Sequence, residues 1–295
     1  MSVPGAKRSN SLSTAPSIVV IGSVNLDLAA SVERLPVAGE TVTGASLNRF
    51  PGGKGANQAL AARRLGADVS LVARIGDDSA ADDALTLLRA GGVNLELCSV
   101  DNDAPTGIAL ISVASSGENH IVVAPGANRK LELSSVDLPV ADALMCQLEV
   151  PVAVLSAAAK AFAGFFCVNL APAAEVPPGL IGRADLVVVN ETEAAFYGDA
   201  VFEAAGLVGI TYGADGAVLK RRGEVVAEAK PPRVEAIDTV GAGDAFTAAL
   251  TVALVEDRDL QGALEFACAA GAAAATRHGA QPSLPTREEV EALLR

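Results

Sequence analysis

The chain has 295 residues, a formal net charge of −13, 51% hydrophobic residues and no Trp. That length permits one large α/β domain or two smaller ones, with a core of Ala, Val and Leu. The negative charge argues against nucleic acid or an anionic membrane as partner, although backbone N–H groups and a lysine can still hold an anionic ligand locally.

Residues 1–16 are rich in Ser, Pro and basic residues and read as a loose tail. They lack the sustained apolar segment of a signal peptide, and no later run is long and apolar enough to span a membrane. Cys98, Cys146, Cys167 and Cys268 are scattered without metal-ligand spacing. Neither zinc nor a disulfide framework is expected, and the thiols fit a reducing, cytoplasmic setting.

Ser17–Gly22 predicts a strand buried on both faces of a parallel sheet. It exits through Ser23, Val24, Asn25, Leu26 and Asp27, small and polar groups where α/β proteins place ligands; a plain strand-to-loop exit fits them as well. Leu28–Phe50, interrupted by Pro36, Gly39 and Gly44, reads as short strands, and Thr106–Val113 with Asn119–Val123 reads as a hairpin. These two islands interrupt an alternating β/α pattern, so they are expected to pair into a small separate sheet, a lid formed by about 26–49 and 105–124.

Between them, Pro51-Gly52-Gly53-Lys54-Gly55-Ala56-Asn57-Gln58 opens a helix. Three glycines around a lysine let a ligand approach the backbone, and Asn57 and Gln58 offer directional hydrogen bonds to hydroxyls. A solvated first turn with a surface lysine is the alternative. Val69–Ile75, Ser79–Ala90 and Leu95–Val100 continue as strand, helix and strand. Ala143–Glu149 reads as a strand ending in a carboxylate, Pro151–Phe162 as a helix, and Phe165–Leu170 and Asp185–Val189 as strands. The next residues, Asn190-Glu191-Thr192-Glu193, make either an ordinary capped helix start or a polar site at a strand's end.

Ile210–Gly216 is a strand running into a glycine turn, which can bind a ligand, turn into Ala217–Lys220, or both. Pro232–Ile237 reads as a further strand. It leads into Asp238-Thr239-Val240-Gly241-Ala242-Gly243-Asp244 and an Ala-rich helix through Val255. Unpaired N–H groups in such a first turn make an anion site. An Asp inside an anion site is odd unless Asp244 is a base that takes a proton while the Ala242 and Gly243 N–H groups hold developing charge. Acids also favour first turns through the helix dipole alone. The dinucleotide and Walker-type glycine patterns do not fit, because Phe246 replaces a third glycine and no Gly-Lys-Ser/Thr run follows. The last helices are expected at Leu260–Thr276 and Thr286–Leu294.

Taken together, the G-G-K-G-A-N-Q run at 52–58, the N-x-x-E step at 190–193, the T-x-G-x-x-G loop at 211–216, D-T-V-G-A-G-D at 238–244 and G-A-Q-P-S at 279–283 resemble the ribokinase-like (PfkB) sugar kinases, and within them the ribokinase branch. The likeness runs over 17–293, in family order. It implies an open, mostly parallel α/β sheet with helices on both faces, a β lid, and one kinase domain over 17–295. The implied activity is ATP-dependent phosphorylation of D-ribose at O5. Kinases for fructose, adenosine or pseudouridine are the neighbouring alternatives, and a sugar-binding regulator without turnover is the alternative of another class.

By the same resemblance Asp244 is the catalytic base and Gly241, Ala242 and Gly243 the anion hole. Asn25, Asp27, Gly53, Lys54, Asn57 and Glu149 would touch the sugar. Asn190, Glu193, Thr211, Gly213, Gly216, Gly243 and Cys268 would lie along the nucleotide, with magnesium near Asn190 and Glu193. Cys268 stands where the branch generally has a polar residue against adenine. A potassium ion would be held by Asp238, Ser283 and the carbonyls of Val240, Arg277 and Gly279, all hard oxygens; a capping role for Asp238 is the alternative. The lid implies a homodimer. Two departures stand out: Leu170 replaces a proline in Asn169–Ala173, and only about a dozen residues separate Tyr197 from Ile210, leaving either a short helix or a missing one.

Overall fold

A computed structural model describes residues 15–116, 118–133 and 138–295. Most of the tail expected at 1–16 lies outside these residues. In β1 (Ser17–Ile21), Ile18 and Val20 enter one core and Val19 and Ile21 the other. That is the alternation of a strand covered on both faces. β2 (Asn25–Val32), β3 (Ser46–Gly52), α1 (Lys54–Arg64), β4 (Asp68–Gly76), α2 (Ser79–Gly91) and β5 (Cys98–Asp101) follow. β6 (Gly107–Ala114) and β7 (Asn119–Ala124) form the expected antiparallel hairpin. The β/α alternation resumes with β8 (Ala143–Gln147), α3 (Val152–Ala161), β9 (Phe165–Asn169), α4 (Pro178–Arg183), β10 (Leu186–Asn190), α5 (Glu191–Tyr197), α6 (Asp199–Ala204) and β11 (Leu207–Thr211). The chain closes with β12 (Ala217–Arg221), β13 (Glu224–Ala229), α7 (Ala242–Val255), α8 (Leu260–Ala274), α9 (Ala280–Ser283) and α10 (Arg287–Leu293).

Among the described residues the main sheet has nine strands in the order β13-β12-β11-β10-β9-β8-β1-β4-β5. From β11 to β5 every pairing is parallel, while β12 and β13 are antiparallel additions at one edge. Leu60 of α1, Leu88 of α2, Leu250 of α7, Phe266 of α8 and Val290 of α10 pack on one face. Leu155 of α3, Leu180 of α4 and Val201 of α6 cover the other. The chain leaves β1 toward β4 on one side and returns through β8 on the other. That divergence opens a crevice at the carboxyl ends, where open α/β sheets bind ligands. The small sheet, β3-β2-β6-β7, grows out of the same end. No helix among the described residues is long and apolar enough to cross a membrane.

One expectation is corrected and one open alternative is decided. Pro232–Ile237 is not a strand. Pro231 and Pro232 have no N–H to offer a ladder, and the chain instead anchors through the Ile237 and Asp238 N–H groups, both donating to the Ala275 carbonyl at 2.8 and 3.2 Å. The edge strand is β13, made by a two-residue turn at Arg222 and Gly223, both at positive φ, the hairpin geometry that suits strand twist. The short stretch after Tyr197 holds a short helix, not a gap: α6 has six residues and buries Val201.

Candidate active site

α7 begins at the glycine turn. Gly241, its N-cap, has φ +83, and a Cβ there would stand 3.0 Å from the Ala280 Cα. Only glycine meets both demands. The Ala242 N–H is already bonded to the Thr239 carbonyl at 3.2 Å. Of the residues expected at the anion hole, Gly241, Ala242 and Gly243, Ala242 thus has its N–H engaged; Gly243 and Asp244 are the first-turn N–H groups left without an intrahelical acceptor. In front of Gly243, a Cβ would meet nothing within 4 Å.

Asp244 is buried, 6% exposed. Its Oδ2 accepts from Asn57 Nδ2 at 2.8 Å and its Oδ1 from Gln58 Nε2 at 2.9 Å. Burial raises its pKa, while Lys54 and the two amide hydrogen bonds pull the other way. A carboxylate so placed is more basic than a surface one and is held in one orientation. Gln58, expected to meet a hydroxyl, is fully enclosed and meets Asp244 instead. Asn57 keeps its own Oδ1 buried and unpartnered, an acceptor waiting for a donor.

The five other residues expected at the sugar gather beside this carboxylate. Asp27 on β2 packs on Gly52, where a Cβ would fall 2.3 Å from its Oδ2. Its pKa is raised to about 7, first by burial, then by Glu149 and Asp244. Glu149 Oε2 accepts from Ser23 Oγ at 2.5 Å and from the Lys54 backbone N–H at 3.0 Å. Asn25 Oδ1 accepts from Asn128 Nδ2 at 2.8 Å, which turns the Asn25 amide N–H groups outward. Gly53, φ +89, lets α1 start close to the Asn25 backbone. Burial lowers the Lys54 pKa, but Asp244, Glu149, Glu193 and Asp27 outweigh it, so the ammonium stays charged.

At the end of β10, Asn190 and Glu193 form a capping box at the start of α5: Asn190 Oδ1 accepts from the Glu193 N–H and Glu193 Oε2 from the Asn190 N–H, both at 2.8 Å. The step is a capped helix start and stands at the end of a central strand as well. Thr211 ends β11, Gly213 is exposed, and Gly216 lies against the Ala229 carbonyl. The loop is thus a hairpin turn whose tip faces outward. Cys268 Sγ lies 3.8 Å from the same Ala229 carbonyl, its thiol pushed up to about 12 by burial.

Asp238 ties two loops together, accepting from the Val240 N–H at 3.0 Å and from the Gly279 N–H at 2.9 Å. Ser283 Oγ donates to the Ala280 carbonyl at 2.8 Å, and the Arg277 side chain turns away to Glu289. Phe50 of β3 lies against Gly279, linking this loop to the small sheet. Of the residues expected to hold an alkali cation, Asp238 thus draws Val240 and Gly279 to one place.

Sequence reasoning missed the supports. Gln147, Asn128 and Ser23 are fully buried or nearly so, and each holds a residue of the site. Gln147 had a signal, a lone amide in the apolar strand Ala143–Gln147. Asn128 had none, since it lies on a single turn far along the chain.

The comparisons with known proteins agree with one another on the family. The family model for pfkB family carbohydrate kinases matches residues 15–287. A curated ribokinase of Bacillus subtilis is 37% identical, across 94% of this chain and 99% of its own length. The crystal structure of a Thermotoga maritima ribokinase superposes with a TM-score of 0.85 at 34% identity, covering 95% of this chain and 99% of that one. An Arabidopsis thaliana ribokinase, solved with ribose and ATP, gives 0.86 at 32% identity, covering 96% and 99%. With the match spanning nearly the whole chain, from β1 through the glycine turn of α7, this protein belongs to the pfkB family of carbohydrate kinases.

Proposed function

We propose that the chain is a ribokinase: it transfers the γ-phosphoryl group of ATP to O5 of D-ribose, giving D-ribose 5-phosphate and ADP. The observation that carries this reading is the buried Asp244, clamped by Asn57 and Gln58 at the mouth of a glycine turn with free N–H groups. The sugar lies among Asn25, Asp27, Gly53, Lys54, Asn57 and Glu149. The nucleotide lies along Asn190, Glu193, Thr211, Gly213, Gly216, Gly243 and Cys268.

Asp244 Oδ2, the oxygen on the Asn57 side, takes the O5 proton. The O5 electron pair forms the bond to the γ-phosphorus, and the bond to the β–γ bridging oxygen breaks with its electrons leaving on ADP. Such transfers depend on positioning and charge stabilisation more than on covalent chemistry by the protein. The Gly243 and Asp244 N–H groups face the phosphoryl oxygens, and Lys54 adds positive charge between the two substrates.

Magnesium fits as an ion carried on the phosphates, reached from Asn190 and Glu193 through water. Among the described residues no cluster of three acidic, His or Cys side chains could hold it alone. When bound it neutralises phosphate charge. Potassium fits the oxygen set of Asp238, Val240, Arg277, Gly279 and Ser283. The small sheet serves as the lid of one domain over 17–295. Its exposed Leu47, Leu110, Ile121, Val122 and Val123 support a homodimer through the lid, and the free thiols fit a cytoplasmic enzyme. A coupled ADP-release assay over a panel of sugars and nucleosides tests the reading. Turnover with ribose well above fructose, adenosine and pseudouridine is expected; ribose that binds without ADP release would overturn it.

A further inference from the structure

Behind Asp244 lies a row of buried amides. Gln58 and Gln147 are each 0% exposed and Asn169 is 7% exposed. Asn169 Nδ2 donates to the Val188 carbonyl at 3.1 Å, which leaves Asn169 Oδ1 facing Gln58 Nε2 at 3.2 Å. Gln147 Nε2 donates to Gln58 Oε1 at 2.5 Å. Gln58 Nε2 then donates to Asp244 Oδ1.

The direction of every amide in this row is determined. An ionised carboxylate only accepts, so Gln58 must present its nitrogen to Asp244. Its oxygen then faces Gln147, which must donate in turn. At the other end, the Val188 carbonyl of the main sheet forces Asn169 to present its oxygen. Gln58 is thus held from two strands, β8 and β9, in the only orientation that serves Asp244. The arrangement costs the fold something. Gln147 Oε1 is left buried and unpartnered beside Gly22, and a core built for stability alone favours apolar groups over a partly satisfied amide row.

We infer that Gln58 is a positioning residue for the proposed base, and that Gln147 and Asn169 act through it: together they fix the Asp244 carboxylate against the main sheet, with Oδ2 turned toward the sugar. This rests on the kinase reading above. Asn57 can hold Oδ2 by itself, but one hydrogen bond leaves the carboxyl free to rotate; the second, at the closed end, stops it. The charged groups facing Asp244 are Lys54 from α1, Glu149 beyond β8 and Asp27 from β2. Changing Gln58 or Gln147 to the unbranched, near-isosteric Met alters none of these charges.

The test compares wild type, Gln58→Met, Gln147→Met and the double variant. Gln58→Met should lower kcat about 10²-fold, the loss expected when a reacting group is misplaced by about 1 Å, with KM for ribose and ATP nearly unchanged. The acid limb of its kcat–pH profile should move to higher pH, since a donor that favours the ionised form is gone. Gln147→Met should lower kcat less, in the same direction, and the double variant should be no worse than Gln58→Met, as for residues acting in series. Gln58→Glu keeps the shape, and its second carboxyl should move the limb further; if Gln58→Met does not fold, it and Gln147→Met carry the test. Wild-type kcat and an unmoved limb in these variants, or losses that multiply, would overturn the inference. A 13C titration of the Asp244 carboxyl, assigned against Asp244→Asn, separates the two claims. No turnover in wild type sinks the kinase reading, while an unmoved Asp244 titration in Gln58→Met or Gln147→Met sinks this one.

Discussion

Helices α5 and α7 carry an acid in the same slot, the third helical residue, and use it in opposite ways. In α5 the acid is Glu193. It reaches back to the Asn190 N–H while Asn190 caps the Glu193 N–H, so the helix start satisfies itself. In α7 the acid is Asp244. Its N-cap is a glycine with no side chain, and Asp244 turns away from its own helix to two amides on α1. Local propensity explains the first acid completely. The second leaves its own first turn open and is held instead by long-range contacts, 187 and 186 residues away in sequence. An acid that its helix does not need is available for chemistry.

The largest expected effect breaks this comparison at α7. Asp244→Asn keeps the shape but cannot take a proton, and loss of a general base costs roughly 10²–10⁴ in rate. Because burial already disfavours the Asp244 charge, the same change should leave the thermal midpoint at neutral pH unchanged or higher. Near-normal kcat, or a large drop in midpoint, would return Asp244 to the class of ordinary first-turn acids.

Next comes Asp27, the other carboxyl held against its own solvation. Asp27→Ala should weaken ribose binding by about 1.5–3 kcal/mol, the worth of hydrogen bonds to a charged group, with ATP affinity little changed; calorimetry with each ligand decides. The wild-type protein should also bind ribose less tightly as pH falls below about 7, where Asp27 protonates and loses an acceptor. The stability sign is the reverse. A carboxyl raised from 3.8 to about 7 favours the folded state most when protonated. Its contribution is fully present below about pH 4 and lost as pH rises through 7. Asp27→Asn should therefore raise the unfolding midpoint at pH 8 and not at pH 4. Equal midpoints at pH 8 would mean that the site stores no such cost.

What was legible in the sequence follows the same division between local and distant causes. The β/α alternation, the small sheet and the glycine turn all showed, because each is written in a short run of residues: SIVVI at 17–21, the T-G hairpin at 106–123, G-A-G-D at 241–244. Pro232–Ile237 misled because its β-branched Val234 and Ile237 outweighed the prolines at 231 and 232, and β13 was lost to it. Gln58 was read as a ligand group because the run around it is polar and opens a helix; nothing local says that β8 and β9 close over it. Asn128 and Gln147 were missed for the same reason, since a support is defined by what it touches.

The α5 side is sharpened by Glu193→Ala. Removing one half of a capping box should cost about 1 kcal/mol of stability, read as a lower midpoint in thermal unfolding. The proposed place near the phosphates adds a second readout, a higher magnesium requirement for turnover. A lower midpoint with an unchanged magnesium requirement would make Glu193 a cap and nothing more.

The smallest effect concerns Asp238, which combines the two roles. Like Glu193 it caps, taking the Val240 and Gly279 N–H groups. Like Asp244 it does so between distant segments, joining the glycine turn to the loop that carries Ser283. Each carboxylate oxygen has lone pairs left after one hydrogen bond, and the Val240, Arg277 and Gly279 carbonyls add neutral oxygens of the kind an alkali cation prefers. A cation there would stiffen the turn before its N–H groups meet the phosphoryl oxygens, a preorganisation effect that raises kcat without changing the chemistry. Turnover should rise several-fold when potassium is added to an assay free of alkali cations, with magnesium, ATP and ionic strength constant. Asp238→Asn, which keeps an acceptor for one loop but halves the charge-bearing oxygens, should blunt that response more than it lowers the basal rate. A flat wild-type response would leave Asp238 as a clasp between loops, the long-range counterpart of the Asn190–Glu193 box.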